Sequence, residues 1–141
     1  MNISIVIPIF NEVESLPSLV EELDMNLEKF DSWEIIFIDD GSSDGSTELL
    51  SNLCLTKPEY RLIQFHRNYG KSAALSEGFK AALGDYVVTM DADLQDDPSE
   101  IKNLVNKLNE GWDLVSGWKK TRLDPLSKRI PSKLFNFILR L

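Results

Sequence analysis

The sequence is poor in the residues from which covalent cross-links and zinc sites are built. Its 141 residues include a single cysteine, Cys54, and a single histidine, His66. One cysteine cannot form an internal disulfide, and this pair cannot supply a zinc cluster of the Cys/His type. The composition therefore excludes a disulfide-stabilised scaffold and a zinc module, and it favours a reducing cytoplasm as the compartment.

Long apolar runs and low-complexity tracts are also missing. No stretch approaches the roughly 18 to 20 consecutive apolar residues that a membrane-spanning helix needs, and 6 prolines and 7 glycines form no enriched segment. Hydrophobic residues nevertheless make up 43% of the chain, enough for a substantial core. We therefore expect one globular domain.

The net charge of −8 conceals an uneven distribution of charge. Residues 119–141 hold seven of the 15 basic residues but only one of the 23 acidic residues. The acidic remainder, residues 1–118, is a poor surface for nucleic acid, which requires positive charge. We expect an acidic core over 1–118, followed by a basic amphipathic segment over 119–141 that lies near an acceptor phosphate or a membrane surface.

Apolar runs alternate with amphipathic segments along the acidic part of the chain. The predicted strands are Ile3–Phe10, Trp33–Asp39, Arg61–His66, Asp85–Met90 and a short fifth strand at Leu114–Ser116. Segments with helical spacing separate them, and one of these is predicted to form a helix over Ser72–Leu83. This alternation predicts an α/β protein with an open, mainly parallel sheet and helices on both of its faces.

Polar residues gather where the first four predicted strands end. Ligands of parallel α/β sheets bind outside the carboxyl ends of the strands, which lie at one edge of the sheet. The four clusters are Asn11 and Glu12, Asp39 and Asp40, Arg67 to Lys71, and Asp91 and Asp93. We therefore expect all four to meet at one site.

Asp91 and Asp93 are one residue apart, which places both carboxylates on the same side of an extended backbone. They would repel each other unless a positive charge lay between them. Mg²⁺ or Mn²⁺ would relieve the repulsion, because these cations prefer carboxylate oxygens and leave positions for water and phosphate. Gln95 could add an amide oxygen. The same spacing also fits a solvated turn in which Asp97 caps the next helix.

Two other clusters each allow a binding and a structural interpretation. Asp39 and Asp40 could accept hydrogen bonds from a ribose hydroxyl or a base N–H, or they could form an Asx turn. Arg67 and Lys71, at the start of a predicted helix, could bind an anion together with backbone N–H groups, or they could be ordinary surface charges.

Four motifs, in this order, resemble those of family 2 glycosyltransferases with the GT-A fold. They are Val6–Glu12, Ile38–Gly45, His66–Lys71 and Asp91–Pro98. More narrowly, the chain resembles the polyisoprenyl-phosphate hexose transferases, of the dolichyl-phosphate mannose synthase and undecaprenyl-phosphate glucosyltransferase type. The likeness covers essentially the whole chain and implies the Rossmann-like, nucleotide-binding half of a GT-A fold.

The resemblance also implies roles for individual residues. Asp91, Asp93 and Gln95 would bind Mg²⁺ or Mn²⁺ at the donor diphosphate, with Asp91 and Asp93 as the catalytic pair. Nucleotide contacts would come from Pro8, Phe10, Asn11, Glu12, Asp39, Lys71 and Asp91. The acceptor phosphate would be bound by Arg122, Lys128, Arg129 and Ser132. The spacing does not decide between Lys128 and Arg129.

The implied reaction moves a hexose from a UDP- or GDP-sugar to a polyprenyl phosphate in glycan or cell-wall biosynthesis. The acceptor phosphate is already anionic near neutral pH, because its second pKa is about 6, so it needs no dedicated base. The resemblance further implies a cytoplasmic protein at the membrane periphery that could form homo-oligomers. Because family members continue beyond the position of Leu141, we expect a truncated piece that binds nucleotide without turnover.

Two other classes of function remain open from the sequence. The chain could be a noncatalytic nucleotide- or metal-binding module whose basic segment docks onto a partner. It could also be a phosphoacceptor signalling domain, since such folds gather carboxylates at strand ends. The position of Asp39 and Asp40 after the second predicted strand disfavours the signalling domain, in which the acidic pair is expected after the first.

Overall fold

The computed structural model describes residues 2–117. Its strands are β1 (Asn2–Ile9), β2 (Ser32–Asp39), β3 (Tyr60–Gln64) and β4 (Tyr86–Thr89). Its helices are α1 (Leu16–Leu27), α2 (Ser46–Thr56), α3 (Lys71–Ala81) and α4 (Ile101–Leu108), and a short 3-10 helix (Pro98–Glu100) leads into α4. In this part of the chain no helix has both the length and the apolar character needed to cross a bilayer.

The four strands form one parallel sheet in the order β3-β2-β1-β4. β1 pairs with β2 from Asn2 opposite Ser32 to Ile9 opposite Asp39, and β4 pairs along the other side of β1. The direction of winding therefore reverses between β1 and β4, which makes a topological switch point at the carboxyl edge. The predicted open parallel sheet is confirmed.

Helices cover both faces of the sheet, as predicted. One face carries a core that includes Ile5 and Phe37 together with residues of α1, α2 and α4. On the other face, Ala74 of α3 packs over Val6 and Ile38. All five of these residues are buried with no exposed surface. Because side chains of β1 and β2 meet a helix on either face, most residues of these two central strands are apolar and do not alternate with polar ones.

The prediction of a fifth strand at Leu114–Ser116 is wrong. These residues have no strand geometry, and within residues 2–117 the sheet ends at β4. A strand exists only through the hydrogen bonds of a neighbouring strand, and this segment pairs with none of the four. A short apolar run is therefore insufficient evidence for a strand.

The helix predicted over Ser72–Leu83 begins one residue earlier and ends at Ala81. Its end is set by distant partners. The N–H group of Leu83 donates to Glu34 Oε1 at 2.7 Å, and the N–H group of Gly84 donates to Ser4 Oγ at 2.8 Å. Because these two N–H groups donate to side chains of the strands, they do not form the backbone hydrogen bonds that would extend the helix.

Glu34 connects β1, β2, β3 and the end of α3. Its carboxylate accepts a hydrogen bond from Ser4 Oγ at 2.6 Å and forms an ion pair with Arg61 at 2.8 Å. Burial by itself raises the pKa of Glu34, but hydrogen bonds from Ser4, from Arg61 and from the Leu83 N–H, with the charge of Arg61, outweigh it. The pKa therefore lies below its ordinary value of 4.5.

The substitution Glu34→Gln should lower the free energy of unfolding at pH 7 by about 1–3 kcal/mol. Because the folded-state pKa is lowered, the stabilisation by the carboxylate is fully present above the unfolded-state pKa near 4.5 and is lost as the pH falls through the folded-state pKa. Urea unfolding at about pH 7 and about pH 3 should therefore show a difference between wild type and variant that shrinks in acid.

A matched control is Glu77→Gln, which breaks an exposed ion pair with Lys80 on α3. This variant should change the unfolding free energy by less than about 0.5 kcal/mol. If the difference between wild type and Glu34→Gln were the same at both pH values, the ionised form of Glu34 would not contribute to stability.

Candidate functional site

A cavity of about 320 Å³ opens at the carboxyl edge of the sheet, next to the switch point between β1 and β4. The segments after all four strands contribute to its wall, which confirms that the polar clusters meet at one edge. The predicted site residues in the wall are Pro8, Phe10, Glu12, Lys71, Asp91 and Asp93. Asn68 and Gly70, from the predicted cluster Arg67 to Lys71, also line the wall, whereas Arg67 does not.

Asn11 stands in sequence between the cavity-lining residues Phe10 and Glu12 and joins two loops. Its backbone is left-handed, with φ 55°, a conformation that asparagine tolerates. Its N–H group donates to Ser42 Oγ at 2.9 Å, and its Oδ1 accepts from the Ser43 N–H at 2.9 Å. The amide oxygen of Asn11 is thus engaged with the loop after β2 and does not line the cavity.

The two adjacent aspartates after β2 have different environments. Asp39 is fully buried, and its carboxylate accepts from the Ser42 N–H at 3.0 Å and from the Thr47 hydroxyl. Asp40 lines the cavity and accepts from the N–H groups of Tyr69 at 2.7 Å and Gly70 at 2.9 Å. The predicted nucleotide residue Asp39 therefore lies behind the wall, whereas Asp40 lies in it.

Gly41 allows the loop after β2 to touch the segment after β3. Its φ of +77° is in the left-handed region, and a Cβ atom there would lie 2.5 Å from the backbone carbon of Arg67 and 2.8 Å from the nitrogen of Asn68. This contact and the hydrogen bonds of Asp40 hold the same segment, which leads directly into Lys71 at the start of α3.

Asp91 and Asp93 follow β4 and both line the cavity, as the motif predicts. Lys71 reaches across from α3, and its Nζ forms an ion pair with Asp91 Oδ1. An acidic pair thus stands at the end of one strand with an ammonium group facing it. Asp91, Asp93 and Lys71 are three of the six predicted donor-site residues that the structure brings together in the cavity wall.

The turn after Asp93 is strained. Leu94 has φ 61°, which is uncommon for a residue with a branched side chain and costs about 1–2 kcal/mol. The N–H group of Gln95 donates to Asp93 Oδ1 at 3.1 Å, and the N–H group of Asp91 donates to Asp96 Oδ2 at 2.8 Å. Such strain occurs often at functional sites, because surrounding contacts hold the backbone in place.

The donor atoms present suit a cation that is shared with a ligand. Within residues 2–117 no three His, Cys, Asp or Glu side chains converge as a preformed metal site. Asp91 and Asp93 line the cavity, while Gln95 lines an adjoining groove of about 940 Å³ that also includes Asp91. Mg²⁺ typically uses one or two carboxylates and completes its shell with water and phosphate, so Asp91 and Asp93 fit this requirement.

The predicted acceptor residues lie outside the described residues. They are Arg122, Lys128, Arg129 and Ser132, within the predicted basic segment 119–141.

A family model described as "Glycosyl transferase family 2" matches residues 4–140. The chain belongs to this family. Its relatives include the undecaprenyl-phosphate 4-deoxy-4-formamido-L-arabinose transferase of Pectobacterium atrosepticum, which is 44% identical over 99% of this chain and 43% of that protein. The transferase of the same name from Salmonella choleraesuis is 41% identical over 98% of this chain and 43% of that protein. The chain thus spans less than half the length of these relatives.

Solved structures agree with the family 2 assignment. S. aureus TarS 1–349 in complex with UDP-GlcNAc matches with a TM-score of 0.67 at 19% identity, over 86% of this chain and 37% of that chain, which shows the fold alone. Glucosyl-3-phosphoglycerate synthase from Mycobacterium tuberculosis, solved with UDP, matches with a TM-score of 0.62 at 27% identity, over 78% and 40%. The mannosyltransferase PcManGT from Pyrobaculum calidifontis, solved with GDP-Man and Mn²⁺, matches with a TM-score of 0.59 at 28% identity, over 75% and 32%. The predicted Rossmann-like half of a GT-A fold is confirmed for this family 2 chain.

Proposed function

We propose that the cavity binds the nucleotide-sugar donor of a glycosyltransferase that moves a sugar residue to a polyprenyl phosphate. The main support for this proposal is that Asp91, Asp93 and Lys71 line one cavity together with the end of β1, at the switch point. Nucleotides bind to open α/β sheets at this place, and an acidic pair beside an ammonium group suits a diphosphate held together with a divalent cation.

The relatives support both the donor and the acceptor in this proposal. The two sequence relatives are named as transferases acting with undecaprenyl phosphate, and two structural neighbours above 25% identity were solved with UDP or with GDP-Man and Mn²⁺. We therefore propose undecaprenyl phosphate or a similar polyprenyl phosphate as the acceptor, and Mg²⁺ or Mn²⁺ as the cofactor. The relatives' names specify an arabinose derivative, so the proposal does not depend on the predicted hexose.

Each residue near the cavity would contribute a distinct interaction. Asp91 and Asp93 would hold the cation, with Gln95 beside them, and the bound cation would neutralise the charge of the leaving diphosphate. Phe10, about half exposed, offers an apolar surface to the base or ribose. Pro8 and Glu12 would border the same nucleotide. Because the acceptor phosphate is anionic, the chain needs to orient it and does not need to deprotonate it.

Two predicted nucleotide residues would act through the loops. Asp39 accepts a hydrogen bond from the Ser42 N–H, and Asn11 accepts one from the Ser43 N–H. We therefore propose that both residues support the nucleotide site indirectly, by holding the loop after β2 in place.

The basic segment would bind the acceptor phosphate through Arg122, Lys128, Arg129 and Ser132. Its contact with a membrane and the formation of homo-oligomers stay predictions.

Calorimetric titration with UDP- and GDP-sugars, with and without Mn²⁺, tests the proposal. We expect one nucleotide class to bind, and its affinity to fall at least about tenfold when the cation is removed, since typical couplings between two ligands are 5- to 150-fold. The matching nucleoside monophosphate, which lacks the second phosphate, is the control and should depend less on Mn²⁺. Equal, cation-independent responses to UDP- and GDP-sugars would contradict the proposal.

A further inference from the structure

Lys71 lies in the wall between two cavities. Its side chain lines both the cavity of about 320 Å³ and the adjoining groove of about 940 Å³. Among the described residues that line these two spaces, Lys71 is the sole basic one. Carboxylates line both: Glu12, Asp40, Asp91 and Asp93 in the cavity, and Asp91, Asp96, Asp97 and Glu100 in the groove. The ammonium group of Lys71 is therefore surrounded by carboxylates of both spaces.

Lys71 is paired with Asp91, which is one of the two carboxylates that would hold the cation in the proposed function. Lys71 Nζ pairs with Asp91 Oδ1, with side chains that are 58% and 37% exposed. An ammonium group and a divalent cation are attracted to the same carboxylate and repel each other at short range. They therefore compete for Asp91.

The backbone before Lys71 is held in place, while its side chain is mostly exposed. The N–H groups of Tyr69 and Gly70 are both bound to the carboxylate of Asp40. Gly70 is the N-cap of α3 and provides no side-chain cap, so the first-turn N–H groups are available to an anion. The flexible four-carbon side chain of Lys71 can leave Asp91 and stay within reach of an anion at this helix end.

We propose that Lys71 is an intramolecular competitor of the divalent cation at Asp91, and that it moves to the donor diphosphate when the cation binds. This inference rests on the proposed function. It makes the two ligands interdependent: the cation alone must displace Lys71, and the nucleotide alone must attract Lys71 away from Asp91. Cation and nucleotide therefore bind more tightly together than either does alone, by the same factor for each.

The test is the substitution Lys71→Met, which removes the ammonium group and retains an apolar side chain of similar length. Electron paramagnetic resonance of free Mn²⁺ measures cation binding without nucleotide, and calorimetry measures nucleoside diphosphate binding at saturating Mn²⁺. We expect Mn²⁺ alone to bind about two- to fivefold tighter, because an exposed ion pair is lost. The nucleoside diphosphate should bind about tenfold weaker, because a charge-assisted hydrogen bond is lost.

Lys80→Met is the matched control, because it makes the same change of charge on the same helix. Lys80 pairs with Glu77 at 2.7 Å and lines neither cavity. It should leave both affinities within about twofold of wild type, since screened surface charges act weakly at a distance. Lys71→Arg, which keeps a cation at the same place, should restore the weak binding of Mn²⁺ alone.

The outcomes separate this inference from the proposed function. If Lys71→Met binds Mn²⁺ no tighter than wild type and Lys80→Met do, the competitor role is wrong and the donor site still stands. If it binds nucleoside diphosphate as well as wild type does, the proposed move of Lys71 to the diphosphate is wrong. If wild type binds neither UDP nor GDP with Mn²⁺, the proposed function is wrong, while the experiment with Mn²⁺ alone still decides whether Lys71 competes for Asp91.

Discussion

Replacing Asp91 by asparagine should weaken cation-dependent binding of nucleoside diphosphate by at least about 100-fold. Asparagine preserves the size of the side chain but removes the negative charge that pairs with Lys71 and that we propose the cation also needs. Loss of groups that merely orient metal ligands typically costs 10- to 100-fold, and a direct ligand should cost more. Calorimetric titration of the variant with the preferred nucleotide and Mn²⁺ measures the effect.

Asp85→Asn is the appropriate control for this prediction. Asp85 precedes β4 at the opposite edge of the sheet, where its Oδ2 accepts a hydrogen bond from the Asn2 N–H at 3.3 Å. The same chemical change there should leave nucleotide affinity unaltered. Wild-type binding by Asp91→Asn would show that the cation site is not at the end of β4, and it would favour a module that docks to a partner without metal-dependent transfer.

The substitution Gly41→Ala should lower the free energy of unfolding by about 3 kcal/mol or more. Placing alanine in the left-handed conformation costs roughly 1–2 kcal/mol of folding free energy, and overpacking against neighbouring atoms adds about 1–3 kcal/mol. The overlap cannot be relieved by a side-chain rotation, because the nearest atoms are the backbone carbon and Cα of Arg67, at 2.5 and 2.7 Å. Urea unfolding followed by circular dichroism measures the loss.

Gly111→Ala separates the two parts of this cost. Gly111 also has a positive φ, +102°, but nothing lies within 4 Å of the position of its Cβ. The substitution Gly111→Ala should therefore lower the free energy of unfolding only through the backbone conformation. A difference of less than about 1 kcal/mol between the two variants would show that the loop after β2 does not pack tightly on the segment after β3.

Local patterns were sufficient for much of the fold. The apolar runs near Ile5 and Phe37 predicted two buried strands, because a strand flanked by helices must be apolar on both sides. The interpretation in which Asp97 caps the next helix is also confirmed, since its Oδ1 accepts from the Ser99 N–H at 2.9 Å. Such interactions involve residues close in sequence, so the sequence carries a direct signal for them.

Predictions that depended on distant partners were less reliable. The helix α3 ends early because Leu83 donates to Glu34, 49 residues away. Leu114–Ser116 has the composition of a strand but lacks a neighbouring strand with which to pair. The motif implied a nucleotide contact for Asp39, yet Asp40 is the one that lines the cavity, because neighbouring side chains of an extended backbone point to opposite sides and the motif does not say which side faces the cavity.

The order of residues along the chain was enough to establish the α/β class, the positions of the polar clusters and the family to which the chain belongs. The strand order β3-β2-β1-β4 came from packing, and it places Asp91 in the same cavity wall as Phe10 and within reach of Lys71. The physical reason is the distance along the sequence over which each kind of interaction acts. Helix and strand periodicity records which side of a segment is buried, whereas the neighbour of each segment depends on contacts between residues tens of positions apart, which no local pattern encodes.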